Sequence, residues 1–343
     1  MSYTIVRPAD HAGWLAERAK GIGSSDAGTI MGASPFSTPL KLWRLKKGLD
    51  PPIPETDTMR NGHILEPAVA EYFAMVTHST IDKTSEGDWL AVDDKKPYLR
   101  VSPDRLFWPE GAEMLPENRL VLEIKSTSKF VDPENLPLYW YCQIQYQMGV
   151  LGIELGAIAW ITSNPKLEFG YKWIPFNPAF FNTLISQIDE FWNNNILKDI
   201  EPDPRSSEDA AIKWPFSETD KVTIASGEDY LNCQNYIQLT SEMEGLQKRL
   251  DEVTAAIKTS IGNAETLIFE DPETGDKKII AKNKSVTEKV FEEDKFEQEH
   301  PDVYRNYMKK FFDKKEFADE DPILYKQYTT TRKGYRRFSV CIK

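Results

Sequence analysis

An aspartate and a Glu-x-Lys triplet lie nineteen residues apart near the middle of the chain. Asp104 follows Ser102-Pro103, and the triplet lies inside the apolar run Val121-Leu122-Glu123-Ile124-Lys125. The β-branched and aliphatic residues of this run predict a buried strand. Because strand side chains repeat every two residues, we expect Glu123 and Lys125 to share one face. Burying a charge is costly unless it is paired or binds a metal ion, so this run is a candidate site for chemistry.

These carboxylates have the chemistry of a metal-dependent phosphodiester hydrolase. Asp104 and Glu123 offer the hard oxygen ligands that Mg²⁺ and Mn²⁺ prefer, and the backbone carbonyl of Ile124 offers a third oxygen. Glu66, beside the apolar stripe of a predicted helix, could reach a second metal ion or its water. Lys125 would lie beside the attacking water, favouring hydroxide and offsetting charge in the transition state. Alone, the pattern Asp-x(n)-Glu-x-Lys is loose and arises by chance.

A Gly/Ser-rich turn near the N-terminus is a candidate anion site. Residues 21–26 read Gly-Ile-Gly-Ser-Ser-Asp and precede an apolar helical stretch over 27–31. Exposed N–H groups at a helix start bind anions. Taken alone, the turn favours the alternative of a helix N-cap without a ligand.

The rest of the pattern predicts the elements that must position these groups. Glu66 falls on an amphipathic helix over 59–75, whose apolar stripe is Ile64, Leu65, Ala68, Val69, Tyr72 and Phe73. A helix over 138–151 carries Gln143, Gln145 and Gln147, of which some are expected to be buried and partnered. Periodicity predicts further helices over 10–20, 40–47, 178–197 and 230–261, strands over 88–92, 98–108, 119–125, 156–163 and 171–175, a hairpin over 267–282, helical pieces over 292–299 and 301–317, and a last strand over 336–342.

The net charge, the length of the apolar runs and the cysteine and histidine spacing argue against several classes of protein. The chain has 343 residues and a net charge of −12, which argues against a general nucleic-acid coat protein but not against a nuclease with an acidic site. No apolar run approaches the length of a membrane span, so no membrane partner is expected. Cysteines 142, 233 and 341 are far apart and odd in number, which indicates unpaired thiols and a reducing cytoplasm. The four histidines lack zinc-ligand spacing.

Five blocks over roughly residues 10–195 resemble, in order, the phage lambda exonuclease and YqaJ-type viral recombinase family. That family lies within the restriction-endonuclease-like PD-(D/E)XK nucleases. The blocks are Trp14-x-x-x-Arg18 with the turn 21–26, Met59-x-x-Gly62-x-x-x-Glu66, Ser102-Pro103-Asp104, Leu122-Glu123-Ile124-Lys125, and the glutamine-bearing segment 143–148. The resemblance implies a restriction-endonuclease-like α/β core, with a mixed central sheet flanked by helices. The linker 201–204 divides the chain into a nuclease domain, 1–204, and a C-terminal α+β extension, 205–343.

The resemblance also implies roles for individual residues. The catalytic core would be Asp104, Glu123 and Lys125, with Glu66 as an accessory acid and Gln143 or Gln145 orienting the metal-site network. The 5′-phosphate of a DNA end would be held by Arg18 and Ser25, with Ser24 beside them. One or two Mg²⁺ ions per site are implied, with Mn²⁺ as a substitute.

The implied activity is 5′-to-3′ digestion of double-stranded DNA ends in the cytoplasm of a bacterial host. A ring-shaped trimer and a single-strand annealing partner protein are also implied by the resemblance. Two alternatives stay open: an endonuclease that uses the same metal site, and a catalytically inactive protein that binds DNA ends. The role of 205–343 is either docking of a partner or self-association.

Overall fold

The structure, a computed structural model, describes residues 2–163 and 167–285 and the single positions 298, 301, 319, 322 and 323. It divides into two compact units, Met1–Trp214 and Pro215–Lys343. Helix α7 (Ser207–Lys213), which no sequence pattern indicated, belongs to the first unit. Asp209 of α7 is buried there and accepts hydrogen bonds from the Thr38 hydroxyl (2.7 Å) and the Arg205 amide (2.9 Å). The domain boundary at residue 204 stays a prediction.

A mixed five-stranded sheet forms the centre of the first unit. Its strands, in spatial order, are β2 (Thr80–Ile81), β5 (Arg105–Trp108), β6 (Leu120–Thr127), β7 (Leu155–Thr162) and β8 (Glu168–Pro175). Strands β6 and β7 are parallel, and the other neighbours are antiparallel. A parallel pair needs a crossover connection, and α5 (Leu138–Leu151) provides it. The predicted strand at 119–125 and helix at 138–151 are confirmed.

A second sheet of three strands corrects one prediction. It contains β1 (Tyr3–Val6), β3 (Leu90–Asp93) and β4 (Arg100–Val101), in the order β1-β3-β4. The single strand predicted over 98–108 was wrong, because β4 and β5 lie in different sheets. The chain leaves the extended conformation of a strand at 102–104, where Pro103 has no N–H for a ladder hydrogen bond. Strand β1 was missed by the sequence pattern.

Helices flank the central sheet on both faces, so the predicted mixed sheet with flanking helices is confirmed. The helices that precede α7 are α1 (His11–Ala19), α2 (Ser24–Ile30), α3 (Pro39–Lys46), α4 (Asp57–Thr77), α5 and α6 (Pro178–Glu190), which continues as a π-helix over Phe191–Leu197. Among them, α4 and α5 pack directly on the central sheet. On one face, Val121 of β6 shares a core cluster with the side chains of α5. On the other, Leu122 and Ile124 share a cluster with Val69 and Phe73 of α4. Glu123 and Lys125 therefore lie on the α5 face.

The apolar stripe predicted for α4 is only partly buried. Val69 and Phe73 are buried, whereas Ile64 and Tyr72 are 68% and 45% exposed and Ala68 is also exposed. The part of the stripe that lies N-terminal to Pro67 contributes no buried residue. Only the C-terminal half of α4 packs its stripe against the sheet, and the hydrophobic pattern cannot reveal where that packing ends.

The second unit begins with a 35-residue helix, α8 (Gly227–Ile261), capped by Ser226 and Asp229. Strands β9 (Thr266–Glu270) and β10 (Lys277–Lys282) form an antiparallel hairpin, which confirms the prediction for 267–282. The predictions for 292–299, 301–317, 336–342 and Cys341 lie outside the described residues. Within the described parts of the chain, no helix is long and apolar enough to cross a membrane.

Candidate active site

Asp104 lies in the short break between β4 and β5, directly before the strand that pairs with β6. Its carboxylate oxygen Oδ2 accepts a hydrogen bond from the backbone amide of Ile124, at 2.6 Å. This bond holds the Asp104 carboxylate beside the strand that carries Glu123. The predicted neighbourhood of the two acids is therefore present in the structure.

Glu123 and Lys125 project from the same face of β6, as their spacing requires. The ammonium of Lys125 forms an ion pair with Glu123, whose side chain is only 1% exposed. Lys125 also donates to the side-chain carbonyl of Gln143, at 2.9 Å. The lysine thus links the buried acid on the sheet to the helix that covers it.

Burial and like charge shape the electrostatics of this cluster. Burial raises the pKa of Asp104 well above its ordinary value, and the nearby carboxylate of Glu123 raises it further; Lys125 acts in the opposite direction. Burial alone would lower the pKa of Lys125, but the charges of Glu123 and Asp104 outweigh it and raise that pKa. The structure therefore places two carboxylates that repel each other beside a single lysine.

The glutamines of α5 separate into two groups. Gln143 and Gln147, one helical turn apart, face the acidic cluster, and Gln147 donates to Glu123 Oε2 at 2.8 Å. Gln145 lies on another side of the helix, where its amide nitrogen donates to the Pro175 carbonyl and its oxygen accepts from the Asn177 amide, both at 2.8 Å. The structure therefore brings Gln143 to the site but not Gln145. The sequence left open which of Gln143, Gln145 and Gln147 faces the site, although the i, i+4 spacing of Gln143 and Gln147 was an available signal.

Glu66 reaches the same region from α4, where it forms an ion pair with Arg105. The Arg105 side chain is 12% exposed and also donates to the backbone carbonyl of Asp104. Sequence reasoning missed Arg105, because its partner Glu66 lies 39 residues away in the chain. Glu66 is thus near the cluster, with its charge balanced by an arginine.

The Gly/Ser-rich turn is fixed by backbone pairing rather than by side chains alone. The Ile22 amide donates to the Tyr98 carbonyl at 2.7 Å, and the Ile22 carbonyl accepts from the Tyr146 hydroxyl at 2.9 Å. A Cβ added at Gly21 would lie 2.4 Å from the Tyr98 carbonyl oxygen, so this approach requires glycine. The predicted turn is present, and its helix, α2, begins at Ser24.

Arg18 presents its guanidinium to this turn. One of its terminal nitrogens donates to the Ser25 hydroxyl, and the guanidinium carbon lies 5.2 Å from the ring centre of Trp14. Stacking on an aromatic face holds the planar arginine in position. The carboxylate of Asp26 would repel an anion at this turn. Its charge is balanced by Lys46, whose side-chain nitrogen lies 2.8 Å from the carboxylate. Burial alone would raise the pKa of Asp26, yet Lys46 and Arg18 bring it below its ordinary value.

A single cavity of about 670 Å³ joins the two sets of residues. Its lining includes Arg18, Ser24 and Ser25 from the turn and Glu66, Asp104 and Gln143 from the acidic side. Gln147 connects the turn and the acidic cluster directly, because its side-chain amide nitrogen contacts both the Glu123 carboxylate and the Ser24 hydroxyl (3.2 Å). Six of the sequence-predicted site residues thus line one cavity, and Lys125, which pairs with Glu123, contacts the lining residue Gln143.

The residues present fit a divalent metal ion of the Mg²⁺ class. Asp104 and Glu123 supply two carboxylates, and a bound cation would relieve the repulsion between them. The side-chain oxygen of Gln147 is buried with no hydrogen-bond partner, an orphaned acceptor at the edge of the cluster. No group of three or more His, Cys, Asp or Glu residues within the described ranges is placed to hold an ion. A two-carboxylate site completed by water and substrate phosphate agrees with both observations.

Comparison with known proteins agrees with the motif blocks. The family model described as YqaJ-like viral recombinase domain matches residues 13–154, which run from within α1 to just beyond α5 and include the candidate site residues. The predicted resemblance to the YqaJ-type family is confirmed. The chain is also 27% identical, over 309 residues, to the uncharacterized protein YqaJ of Bacillus subtilis (strain 168). That similarity covers 86% of this chain and 90% of the relative, so it extends beyond residue 204 into the C-terminal extension.

Two exonucleases of solved structure are similar to part of this chain. The alkaline exonuclease LHK-Exo from Laribacter hongkongensis has a TM-score of 0.41 and 15% identity, covering 54% of this chain and 92% of that chain. The phage-related exonuclease from Haemophilus somnus 129PT has a TM-score of 0.38 and 12% identity, covering 52% of this chain and 96% of that chain. A further structure of LHK-Exo, in complex with dAMP, gives a TM-score of 0.43 at 14% identity, covering 54% of this chain and 92% of that chain.

Proposed function

We propose that this YqaJ-like protein is a metal-dependent nuclease that hydrolyses phosphodiester bonds of DNA. The observation that carries the proposal is the position of Gln147, which bonds both Glu123 of the acidic cluster and Ser24 of the Gly/Ser-rich turn. A phosphate held at the turn and a scissile phosphate at the acids would therefore occupy one cavity. The YqaJ-like match and the names of the similar exonucleases support the same activity.

Each residue of the cluster has a task in this reaction. A divalent ion, Mg²⁺ or Mn²⁺, would be held by Asp104 and Glu123 with the Ile124 carbonyl, and would supply Lewis-acid stabilisation and a more acidic water. The nearby carboxylates of Glu123 and Asp104 raise the pKa of Lys125, which favours its charged form, and a charged Lys125 beside the attacking water would offset negative charge on the phosphate. Gln143 holds the Lys125 ammonium in position through its side-chain carbonyl.

We further propose that the enzyme is an exonuclease that begins at a DNA end. Arg18 and Ser25 would grip the terminal 5′-phosphate, since a forked guanidinium and a hydroxyl suit phosphate oxygens. Helix α2 has only seven residues, so the charge of Arg18 supplies most of the attraction. Digestion in the 5′-to-3′ direction, 3′ single-stranded products, a ring-shaped trimer and an annealing partner protein belong to this proposal on the strength of the family resemblance alone.

The decisive assay compares substrates that differ only at the 5′ end. Linear duplex with a 5′-phosphate should be digested faster than the same duplex with a 5′-hydroxyl, and Arg18→Ala should abolish most of that difference. Loss of a charge-assisted contact worth about 1.5–3 kcal/mol corresponds to about 10- to 100-fold in rate at low substrate concentration. Arg7→Ala is the matched control, because Arg7 is exposed, lies outside the lining of the cavity and, within the described residues, donates a hydrogen bond only to the Thr84 carbonyl.

The same variants distinguish the two alternative functions. An endonuclease would nick circular DNA, and Arg18→Ala would then impair circular and linear substrates equally. A catalytically inactive end-binding protein would retain duplex binding but release no nucleotides in Mg²⁺ or Mn²⁺. Asp104→Asn provides the inactive reference, because it removes one proposed ligand while keeping an acceptor for the Ile124 amide.

A further inference from the structure

Helix α8 carries an apolar stripe with the spacing of a coiled coil. The stripe residues follow one another at alternating intervals of four and three, and each is between 41% and 70% exposed: Leu239, Met243, Leu246, Leu250, Val253 and Ile257. A strict alternation of this kind is the two-position seam of a heptad repeat, narrower than the stripe of a helix packed on a globular core. The 35 residues of α8 extend over about 52 Å, long enough for several heptads.

The heptad assignment follows from these intervals. Met243, Leu250 and Ile257 take the first core position, and Leu239, Leu246 and Val253 take the second. The charged residues that flank the first core position on its N-terminal side are Glu242 and Arg249, one heptad apart and of opposite sign. The positions that follow the second core residues are uncharged: Thr240, Gln247 and Thr254.

Two copies of α8 bring their opposite flanking charges together only when the helices run antiparallel. In an antiparallel pair, Met243 faces Leu246 of the second copy, and Leu250 faces Leu239 of the second copy. The position that precedes the first core residue on one helix then lies beside the equivalent position on the other helix. Glu242 therefore lies beside Arg249 of the second copy, and the two-fold symmetry repeats this pair. In a parallel pair, Glu242 would meet Gln247 and Arg249 would meet Thr254, with no ion pair. Flanking charges of this kind set partner and orientation in coiled coils.

We propose that α8 pairs with α8 of a second copy of this chain as an antiparallel two-helix coiled coil. The charge pattern is self-complementary, as an interface with two-fold symmetry requires, and this favours a second copy over an unrelated partner. Glu242 accepts a hydrogen bond from Gln238 on its own helix and keeps a second carboxylate oxygen for Arg249 of the second copy. This pairing is independent of the nuclease activity.

Cysteine cross-linking on the full chain tests the pairing and its direction. In a background carrying Cys233→Ser and Cys341→Ser, the double variant Leu239→Cys/Leu250→Cys should form dimers linked by disulfides under mild oxidation. Positions 239 and 250 of one helix are about 16 Å apart, and disulfides need Cα atoms within about 7 Å, so the two cannot join within one chain. For the same reason, each single-cysteine variant should stay uncross-linked in an antiparallel pair.

Charge reversal supplies a second test on the same cross-linking variant. Glu242→Arg or Arg249→Glu should raise the protein concentration needed for half-maximal cross-linking about fivefold, because two attractive pairs become repulsive. The double reversal should restore the original concentration, and 1 M salt should remove the difference between all three. Circular dichroism of each variant checks that the helix is kept.

Three results would overturn the proposal. The first is efficient cross-linking of Leu250→Cys alone, which indicates a parallel pair. The second is no dimer from the double-cysteine variant. The third is protection of both cysteines from alkylation in a monomer, which indicates that another part of the same chain covers the stripe.

Discussion

Replacing Gln147 by leucine separates a role in the site from a role in the fold. Gln147 donates to the buried carboxylate of Glu123 and to Ser24, while its own oxygen has no hydrogen-bond partner. Losing a hydrogen bond to a charged group costs about 1.5–3 kcal/mol, and removing an unsatisfied buried oxygen recovers about 1–3 kcal/mol. The two effects nearly cancel, and loss of the longer bond to Ser24 adds about 1 kcal/mol, so Gln147→Leu should lower the free energy of unfolding by about 1 kcal/mol.

The rate of DNA digestion, unlike the stability, should fall strongly in Gln147→Leu. Without Gln147, Glu123 loses its link to the Gly/Ser-rich turn and is oriented by Lys125 alone. Loss of a residue that orients a metal ligand typically costs about 10- to 100-fold in metal affinity or activity. We therefore expect digestion of linear duplex to fall by that factor in Gln147→Leu, with Mn²⁺ affinity measured by calorimetry falling in parallel.

Gln145→Leu is the matched control, two residues away on the same buried helix. Gln145 makes two backbone hydrogen bonds, to Pro175 and Asn177, so its loss should destabilise the protein by about 2 kcal/mol at about 1 kcal/mol per bond. Its activity per folded molecule should stay at the wild-type level. Urea denaturation gives the stabilities, and a linear-duplex digestion assay gives the rates. Equal rates for the two variants, or a larger stability loss in Gln147→Leu, would refute the reasoning.

Three further predictions concern single contacts. Gly21→Ala should destabilise the first unit by about 1–3 kcal/mol in urea denaturation, because the new methyl group meets a backbone carbonyl at 2.4 Å; unchanged stability would show that the turn is loose. Burial alone would raise the pKa of Asp82, but hydrogen bonds from Thr84 and Arg119 lower it overall, so its stabilisation is present above about pH 4 and is lost as pH falls through the lowered pKa. Asp82→Asn should remove this part of the acid dependence, and identical acid unfolding curves would contradict it. Arg105→Ala should free Glu66 and raise the number of Mn²⁺ ions bound per chain in calorimetry, and an unchanged number would show that Glu66 is not a ligand.

The elements that position the site were largely predictable, since their hydrophobic patterns depend on local sequence. The buried run at 119–125 and the helix at 138–151 are present as β6 and α5. The break at Ser102–Asp104 was not predicted, because both flanking segments are extended and the sequence does not show that they join different sheets. Strand β1 has strand-favouring residues but is only four residues long, and it pairs with β3, more than 80 residues away in the chain.

The acids and the lysine could be predicted because charge inside an apolar run is locally visible, whereas Arg105 and Gln147 could not be assigned in the same way. Each acquires its role from a partner distant in sequence, Glu66 for one and Ser24 for the other. Helical geometry does distinguish the glutamines once one of them is placed: Gln143 and Gln147 lie one turn apart, and Gln145 lies about 200° from Gln143 around the helix. If Gln143 contacts Lys125, then Gln147 must lie on that side and Gln145 cannot. The assignment therefore needed a single tertiary contact, and the same side of α5 carries Gln147, through which the Gly/Ser-rich turn and the acidic cluster meet at one helix.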